Sequence, residues 1–372
     1  MRVKNNYNEC ITNFACSIRK YFGLKSGHKT LEYIDKILEE NEPKNVVTIL
    51  FDGLGNNILE RTLPIDSFFI KNKLKEITTV FPATTVAATT SVLTGLNPVE
   101  SGMLGWNMYY KDIDKTITTF LNIEKNDVKE KVLEDAIIYK KKHMKTKTIM
   151  DEINEQGKYK AYGLFPFGPD AYSDIDEMVN RIEKICSENE KKYIYAYDDE
   201  PDHSMHLLGS EDRQINDLIL YRNNLIERLS EKLNDTIIFV IADHGHITVN
   251  NIELENYPDI VDCLEQNTSL EPRATNFFVT DNKKEKFKYL FHKYFSNDFD
   301  LYDKNDIIKS KLFGDGVENE IFKDLLGNFL SIAKTNKAIL YNGDEKLKSQ
   351  HAGYTDDEIL IPLIVIKTSN RE

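Results

Sequence analysis

The run DTIIFVIAD, residues 235–243, constrains the fold of this chain more than any other segment. It is apolar from Ile237 to Ala242 and rich in β-branched residues, then stops at Asp243, followed by His244 and Gly245. An unbroken apolar run of this length suits a strand buried on both faces, and such strands belong to parallel sheets covered by helices. A second run, NVVTILF (45–51), ends the same way, in Asp52, Gly53, Leu54 and Gly55. Further strands are expected at EITTVF, KYKAYGLF, KKYIYAYD and ILIPLIVI. Helices are expected between them: two lysine-faced amphipathic ones over 7–40, one through Ile58 and Leu59, and PATTVAATTSVLTG closed by Gly95. Others follow at KTIMDEINEQG, 174–189 and 210–233. This alternation predicts an α/β fold with a mostly parallel sheet sandwiched by helices.

Residues 96–142 are mixed and contain GWNMYYKDIDKTITTF, a loop or small hairpin over the core. After residue 249 the pattern changes. TNFFV, EKFKYLFHKYF, FDLYD, NFLSIAK and KAILY read as a smaller α+β subdomain inserted over 250–345. The expected organisation is a helical segment over 1–44 packing on a core built from 45–249 and 346–372, interrupted by that insertion. A chain of 372 residues is long enough for this plan.

Composition narrows the function. The net charge of −13 argues against binding a nucleic-acid polymer, which needs a basic surface. No run is long and apolar enough to cross a membrane, and MRVKNNYNECITNFACSIRKYFG has no continuous apolar stretch of the kind a secretion signal needs. Cys10, Cys16, Cys186 and Cys263 are scattered without CxxC spacing. They suit small buried residues in a reduced, cytoplasmic protein.

Chemistry concentrates where strands end and helices begin. Asp52 follows the first buried strand, at the edge where ligands of open α/β sheets collect, although a helix cap is its simpler role. Asp243 and His244 offer a carboxylate and an imidazole side by side, a pair suited to zinc or manganese. Asp202 and His206 lie four apart, so a helix would put both on one face to chelate one ion. An acidic solvated loop with Asp198, Asp199 and Glu200 is the alternative. His203 points elsewhere on this spacing. His351 precedes the last strand and is suggestive only in company with the others. Thr85 in FPATT stands at a helix start, where free N–H groups and the dipole favour an anion such as phosphate. Its hydroxyl is a poor nucleophile unless a cation stabilises the alkoxide. Thr84 competes by adjacency, since either threonine can be a simple cap.

The segments ILFDGLG, FPATTVAATTSVLTGLNPVESGMLGW, DDEPDHSMHLLG, VIADHGH and HAGYTDDEILIPL occur in this order from about residue 46 to 365. In them the chain resembles the alkaline phosphatase superfamily, and within it the type I phosphodiesterase/nucleotide pyrophosphatase family. The resemblance implies an alkaline-phosphatase-like core and two divalent ions, zinc or else manganese. Asp52, Asp243 and His244 would hold one ion, with Thr85 bridging to it; Asp202, His206 and His351 would hold the other. It also aligns Thr85, not Thr84, with the nucleophile, and implies a phospho-threonine intermediate hydrolysed with net retention at phosphorus.

The expected activity is hydrolysis of phosphodiester or pyrophosphate bonds in a small nucleotide-like substrate. A phosphomonoesterase, phosphonate hydrolase or phosphotransferase on the same scaffold is the alternative, and a non-catalytic phosphate-binding protein fits less well. One position departs from the family: Ala88 stands where many members carry a phosphate-binding asparagine. Sulfatase signatures are absent, and the serine-dependent phosphomutases match less well. Trp106, Tyr109 and Tyr110 can line the pocket or simply pack a loop, and Arg273 can meet a substrate anion or form a surface ion pair. The sequence leaves the oligomeric state open.

Overall fold

The computed structural model describes residues 5–368; the outermost four residues of the expected N-terminal segment and of the C-terminal core segment lie outside the described residues. Six strands form the central sheet in the order Lys73–Thr78, Leu360–Lys367, Thr236–Ile241, Asn45–Phe51, Lys192–Asp198, Lys160–Leu164. The last four of these pair in parallel. Ile49 stands opposite Val240 on one side and Ala196 on the other. Strands Asn45–Phe51 and Thr236–Ile241 are buried at every residue, as their unbroken apolar sequences require.

Strand Leu360–Lys367 runs antiparallel to both its neighbours. The direction follows from the route of the chain. It comes back from the insertion at the edge where the parallel strands end, so its final strand enters the sheet from that edge. Its pairing reaches only to Leu360 opposite Thr78, and the strand expected over EITTVF accordingly stops at Thr78 and starts earlier, at Lys73.

The first helix, Ile11–Tyr21, departs from the expected lysine-faced form: every residue from Ile11 to Arg19 is buried. Phe14 meets Phe239 of the sheet edge-on at 5.2 Å. Arg19 is satisfied inside by both carboxylate oxygens of Glu152, at 2.7 and 3.0 Å, and by the carbonyl of Thr94 at 3.0 Å. The second helix, Glu32–Asn41, is amphipathic as expected, burying Ile34 and Leu38.

A second, antiparallel sheet has seven strands: Phe299–Asp303, Phe329–Ala333, Ala274–Phe277, Ser269–Glu271, Asn107–Tyr110, Lys115–Thr118 and Ile123–Glu124. The hairpin in 107–118 thus extends the sheet of the 250–345 region, through Asn107 opposite Leu270. Helix Lys284–Phe295 covers this sheet with Phe287, Phe291 and Phe295, spaced four apart on one face. They pack with Phe277, Phe299 and Phe329. Two short pairings close the base of the 250–345 region: Ile247–Thr248 with Ser349–Gln350 outside it, and Asn250–Glu253 with Lys337–Leu340 within it.

Candidate active site

Asp52, Asp202 and Asp243 follow three adjacent strands of the central sheet, so their carboxylates gather at one edge. The turns carrying them fit only without side chains at two places. Gly53 has a φ of +72°, and a Cβ there would stand 3.0 Å from Cβ of Asp202. Gly55 and Gly245 meet backbone to backbone: a Cβ on Gly55 would lie 2.5 Å from Cα of Gly245. The DGLG and DHG turns are therefore pressed together, and their aspartates converge.

Asp52, Asp243 and His244 form one cluster of buried ligand atoms within 4.8 Å of each other. Each carboxylate is half satisfied. Asp243 Oδ1 accepts from the backbone N–H groups of Gly53 at 3.1 Å and His244 at 2.9 Å, while Oδ2 is buried without a hydrogen bond. Asp52 Oδ2 accepts from the Tyr197 hydroxyl, while Oδ1 is likewise buried and without one. Both bare oxygens face His244 Nε2, at 3.3 Å from Asp52 and 3.6 Å from Asp243. Burial, then the neighbouring charges of Asp243 and Asp202, hold the Asp52 carboxyl well above the usual range. Burial also raises Asp243. Two bare carboxylate oxygens and an imidazole nitrogen converging in a dry pocket fit a divalent cation.

Thr85 begins the helix Thr85–Thr94, which ends at Gly95 with a φ of +74°. Its Oγ1 lies 3.2 Å from His244 Nε2. Thr84, the helix cap, is fully buried, and its hydroxyl turns away to donate to Glu271 Oε1 at 2.5 Å. Of the two adjacent threonines, only Thr85 presents its oxygen to the cluster.

The second cluster contains Asp202, His206 and His351, and a fourth residue that the sequence reading passed over, His246. Asp202 and His206 lie on helix Asp202–Leu208, with His206 Nε2 3.3 Å from Asp202 Oδ2. His351 Nε2 is 3.9 Å from Asp202 Oδ1. The two clusters adjoin, because the rings of His244 and His351 stack at 3.9 Å between centroids. Burial opposes ionisation of Asp202, but the His206 and His246 rings beside it outweigh that and hold the carboxyl well below its ordinary range. His351 is pushed well below the usual imidazole value by burial and by His244. The ion-pair partners of Asp52, Asp202 and Asp243 among the described residues are all histidines. The sequence offers His246 only its place one residue beyond DHG, and the strand-end pattern stops at the glycine.

The remaining candidates sort by burial. His203 is exposed and away from the cluster. Ala88 is fully buried within the main apolar core. Tyr110 is also fully buried and stacks on Tyr139 at 4.5 Å, so it packs the loop and lines nothing. Tyr109 donates to Asp114 at 2.7 Å and rests against Phe278. Trp106 alone of the three is open, at 37 % exposure, with Phe120 edge-on at 6.2 Å. Its backbone N–H donates to Glu271 Oε1 at 2.7 Å, the same oxygen that holds Thr84, which sets Trp106 beside the turn of Thr84 and Thr85. Burial raises the Glu271 carboxyl to about 7. Arg273 is neither a substrate contact nor a surface residue: it is fully buried and paired with Glu358.

A carboxylate and imidazole cage at the strand ends of an alkaline-phosphatase-like sheet, with a threonine hydroxyl at a helix start, suits an enzyme of phosphoryl transfer. The type I phosphodiesterase/nucleotide pyrophosphatase family matches residues 46–354, and the chain belongs to it. This family is metal-dependent and acts on small nucleotide and phosphodiester substrates. The fold is similar to that of murine ectonucleotide pyrophosphatase/phosphodiesterase 5, with a TM-score of 0.65 at 16% identity over 88% of this chain and 90% of that one. The human protein of the same name gives 0.65 at 18% identity, over 87% of each chain. An inactive threonine-to-alanine variant of the murine protein, in complex with AMP, gives 0.64 at 16%, over 88% of this chain and 90% of that one. No curated protein matches the sequence.

Proposed function

We propose that this chain hydrolyses small nucleotide-like phosphodiesters or pyrophosphates through a phospho-threonine on Thr85, with two divalent cations bound, zinc or else manganese. One observation carries the reading. Asp52 and Asp243 each keep one oxygen tied by the protein and the other bare beside His244, and Thr85 Oγ1 reaches the same nitrogen. Asp52, Asp243, His244 and Thr85 would hold one cation, and Asp202, His206 and His351 the other. Bound cations would neutralise the carboxylates, favour the Thr85 alkoxide and stabilise charge on the phosphoryl and leaving oxygens.

The chain's own groups do the rest. The first turn of helix Thr85–Thr94 directs free N–H groups and the positive end of its dipole at the phosphoryl group. Thr85 Oγ attacks phosphorus in line with the leaving oxygen, whose bond to phosphorus breaks as the alcohol or phosphate departs; water then cleaves the new Thr85–phosphorus ester and releases the remaining phosphate monoester. Two inversions give net retention. Glu271 fixes Thr84 and Trp106 together and so positions the turn. Trp106, open beside that turn, offers a planar surface for the esterified group, in keeping with the AMP held by the murine relative. Four free, buried cysteines suit the reducing cytoplasm proposed for the protein.

Paired variants test the assignment. Thr85→Ala is expected to abolish turnover and the phosphoenzyme seen by mass spectrometry after acid quench, with metal content unchanged. Thr84→Ala is expected to be much milder. An inactive Thr84→Ala alongside an active Thr85→Ala overturns it.

A further inference from the structure

We propose that His246 is a positioning residue for Asp202, held in turn by Ser349, and that this relay sets the affinity of the Asp202 cluster for its cation. The proposal rests on the two-cation reading above and adds a residue to it.

The three imidazoles around Asp202 are not equivalent. His206 Nδ1 faces the backbone carbonyl of Ser349 at 2.8 Å, and His351 Nδ1 faces the carbonyl of Ala83 at 3.1 Å. A carbonyl only accepts, so in both rings Nδ1 carries the proton and Nε2 keeps a lone pair for a cation. His246 is oriented the other way. Its Nδ1 lies 2.9 Å from the Ser349 hydroxyl, which can donate, and its Nε2 is pressed against Asp202 Oδ1. A carboxylate only accepts, so the His246 proton sits on Nε2 and Nδ1 accepts from Ser349 Oγ–H.

The Nε2 lone pair of His246 is thus committed to an N–H, and the ring is not a cation ligand. The carboxylate is divided between its neighbours, with Oδ1 to His246 and Oδ2 nearest His206. That leaves Asp202, His206 and His351 as three protein donors, with a position open for substrate or water, as catalytic sites require. Ser349 organises the set. Its carbonyl orients His206 and its hydroxyl orients His246. The short pairing of Ser349–Gln350 with Ile247–Thr248 brings the chain to both His246 and His351.

The test uses the full chain and four proteins: wild type, His246→Ala, His246→Gln and Ser349→Ala. Ion affinities are measured by chelator competition with zinc, and zinc coordination by X-ray absorption. Circular dichroism of each metal-free variant checks the fold, and Ser349→Ala removes only one oxygen. His246→Ala is expected to weaken one of two ions by about ten- to a hundredfold and leave the other unchanged. Ser349→Ala weakens the same ion by less. His246→Gln, whose amide N–H reaches the Nε2 position, recovers most of the loss. The imidazole count per zinc stays constant throughout. Two ions in the wild type with unaltered affinity in both alanine variants overturn the relay alone. A lower imidazole count in His246→Ala makes His246 a direct ligand and also overturns it. A wild type that takes up no second ion overturns the two-cation reading, and the relay with it.

Discussion

Arg273→Met removes a fully buried charge whose three nitrogens are all committed. The guanidinium is fully buried and donates from Nε to Glu358 Oε1 at 2.6 Å and from Nη2 to Oε2 at 2.7 Å. Its Nη1 serves the carbonyls of Thr335 at 2.9 Å and Lys337 at 2.6 Å. Glu358 uses the same oxygens to hold the Gly353 N–H at 2.7 Å and the Thr355 hydroxyl at 2.7 Å, so the pair fixes the turn just after His351. Methionine fills similar volume but leaves a buried carboxylate uncompensated. Breaking a buried pair this way costs about 3–5 kcal/mol. Unfolding entropy of about 2.1 cal/mol/K per residue, over 372 residues, converts that into a fall in Tm of roughly 4–6 °C. Thermal unfolding followed by circular dichroism reads it directly. Adding Glu358→Gln removes the stranded charge, so the double variant should recover at least about 1 kcal/mol relative to the sum of the two singles. A melting temperature within 1 °C of wild type for Arg273→Met, or strict additivity, refutes the reasoning.

Three further outcomes are expected. Elemental analysis should find close to two zinc or manganese ions per chain, and chelation should abolish turnover and lower Tm, because the cations bind only the folded cage; full activity in a verified metal-free preparation contradicts this. Glu271 has a folded value near 7, above its unfolded value, so the folded state holds the extra proton and stability falls as pH rises from about 4.5 to 7. Glu271→Gln keeps the acceptor for Thr84 and Trp106 and should flatten that slope, by up to about 3 kcal/mol between pH 4.5 and 8; parallel pH profiles of the two proteins are the contrary result. The segment from Phe81 to Trp106 contains no Arg or Lys to compensate a dianion, so a nitrophenyl nucleotide diester should exceed nitrophenyl phosphate in kcat/KM by at least about tenfold; a monoesterase preference reverses the substrate assignment.

The parts legible in the sequence are those that local physics decides. DTIIFVIAD and NVVTILF are too apolar to be anything but buried strands, and their terminal aspartates fall where the sheet collects ligands. Helix Thr85–Thr94 is bounded by a threonine cap and Gly95, both readable from residue type. What stayed hidden depends on partners far away in the chain. Residue type cannot separate Thr84 from Thr85, because the choice is made by Glu271, 187 positions later. Arg273 reads as a substrate contact or a surface ion pair because its buried partner, Glu358, lies 85 positions later. The pairing of Asn107 with Leu270 and the reversed final strand are likewise settled by chain routing and not by pattern. His246 was missed because its meaning lies in Ser349 and Asp202, not in its neighbours.

The order of residues along the chain also sets a timetable. Asp52, Thr85, Asp243 and His244 have all left the ribosome once residue 244 emerges, whereas the neighbouring cage lacks His351 until the second sheet has followed. At ordinary elongation rates the interval is roughly 5–20 s. During it the central sheet still lacks strand Leu360–Lys367, which lies between Lys73–Thr78 and Thr236–Ile241, and on the two-cation reading the nascent chain is inert toward the cell's nucleotide pool. Chains stalled near residue 330 should therefore show no turnover, whereas chains released beyond residue 368 should show it. On that reading the stretch between His244 and His351 is a delay line, and competence arrives with the completed fold and not before it.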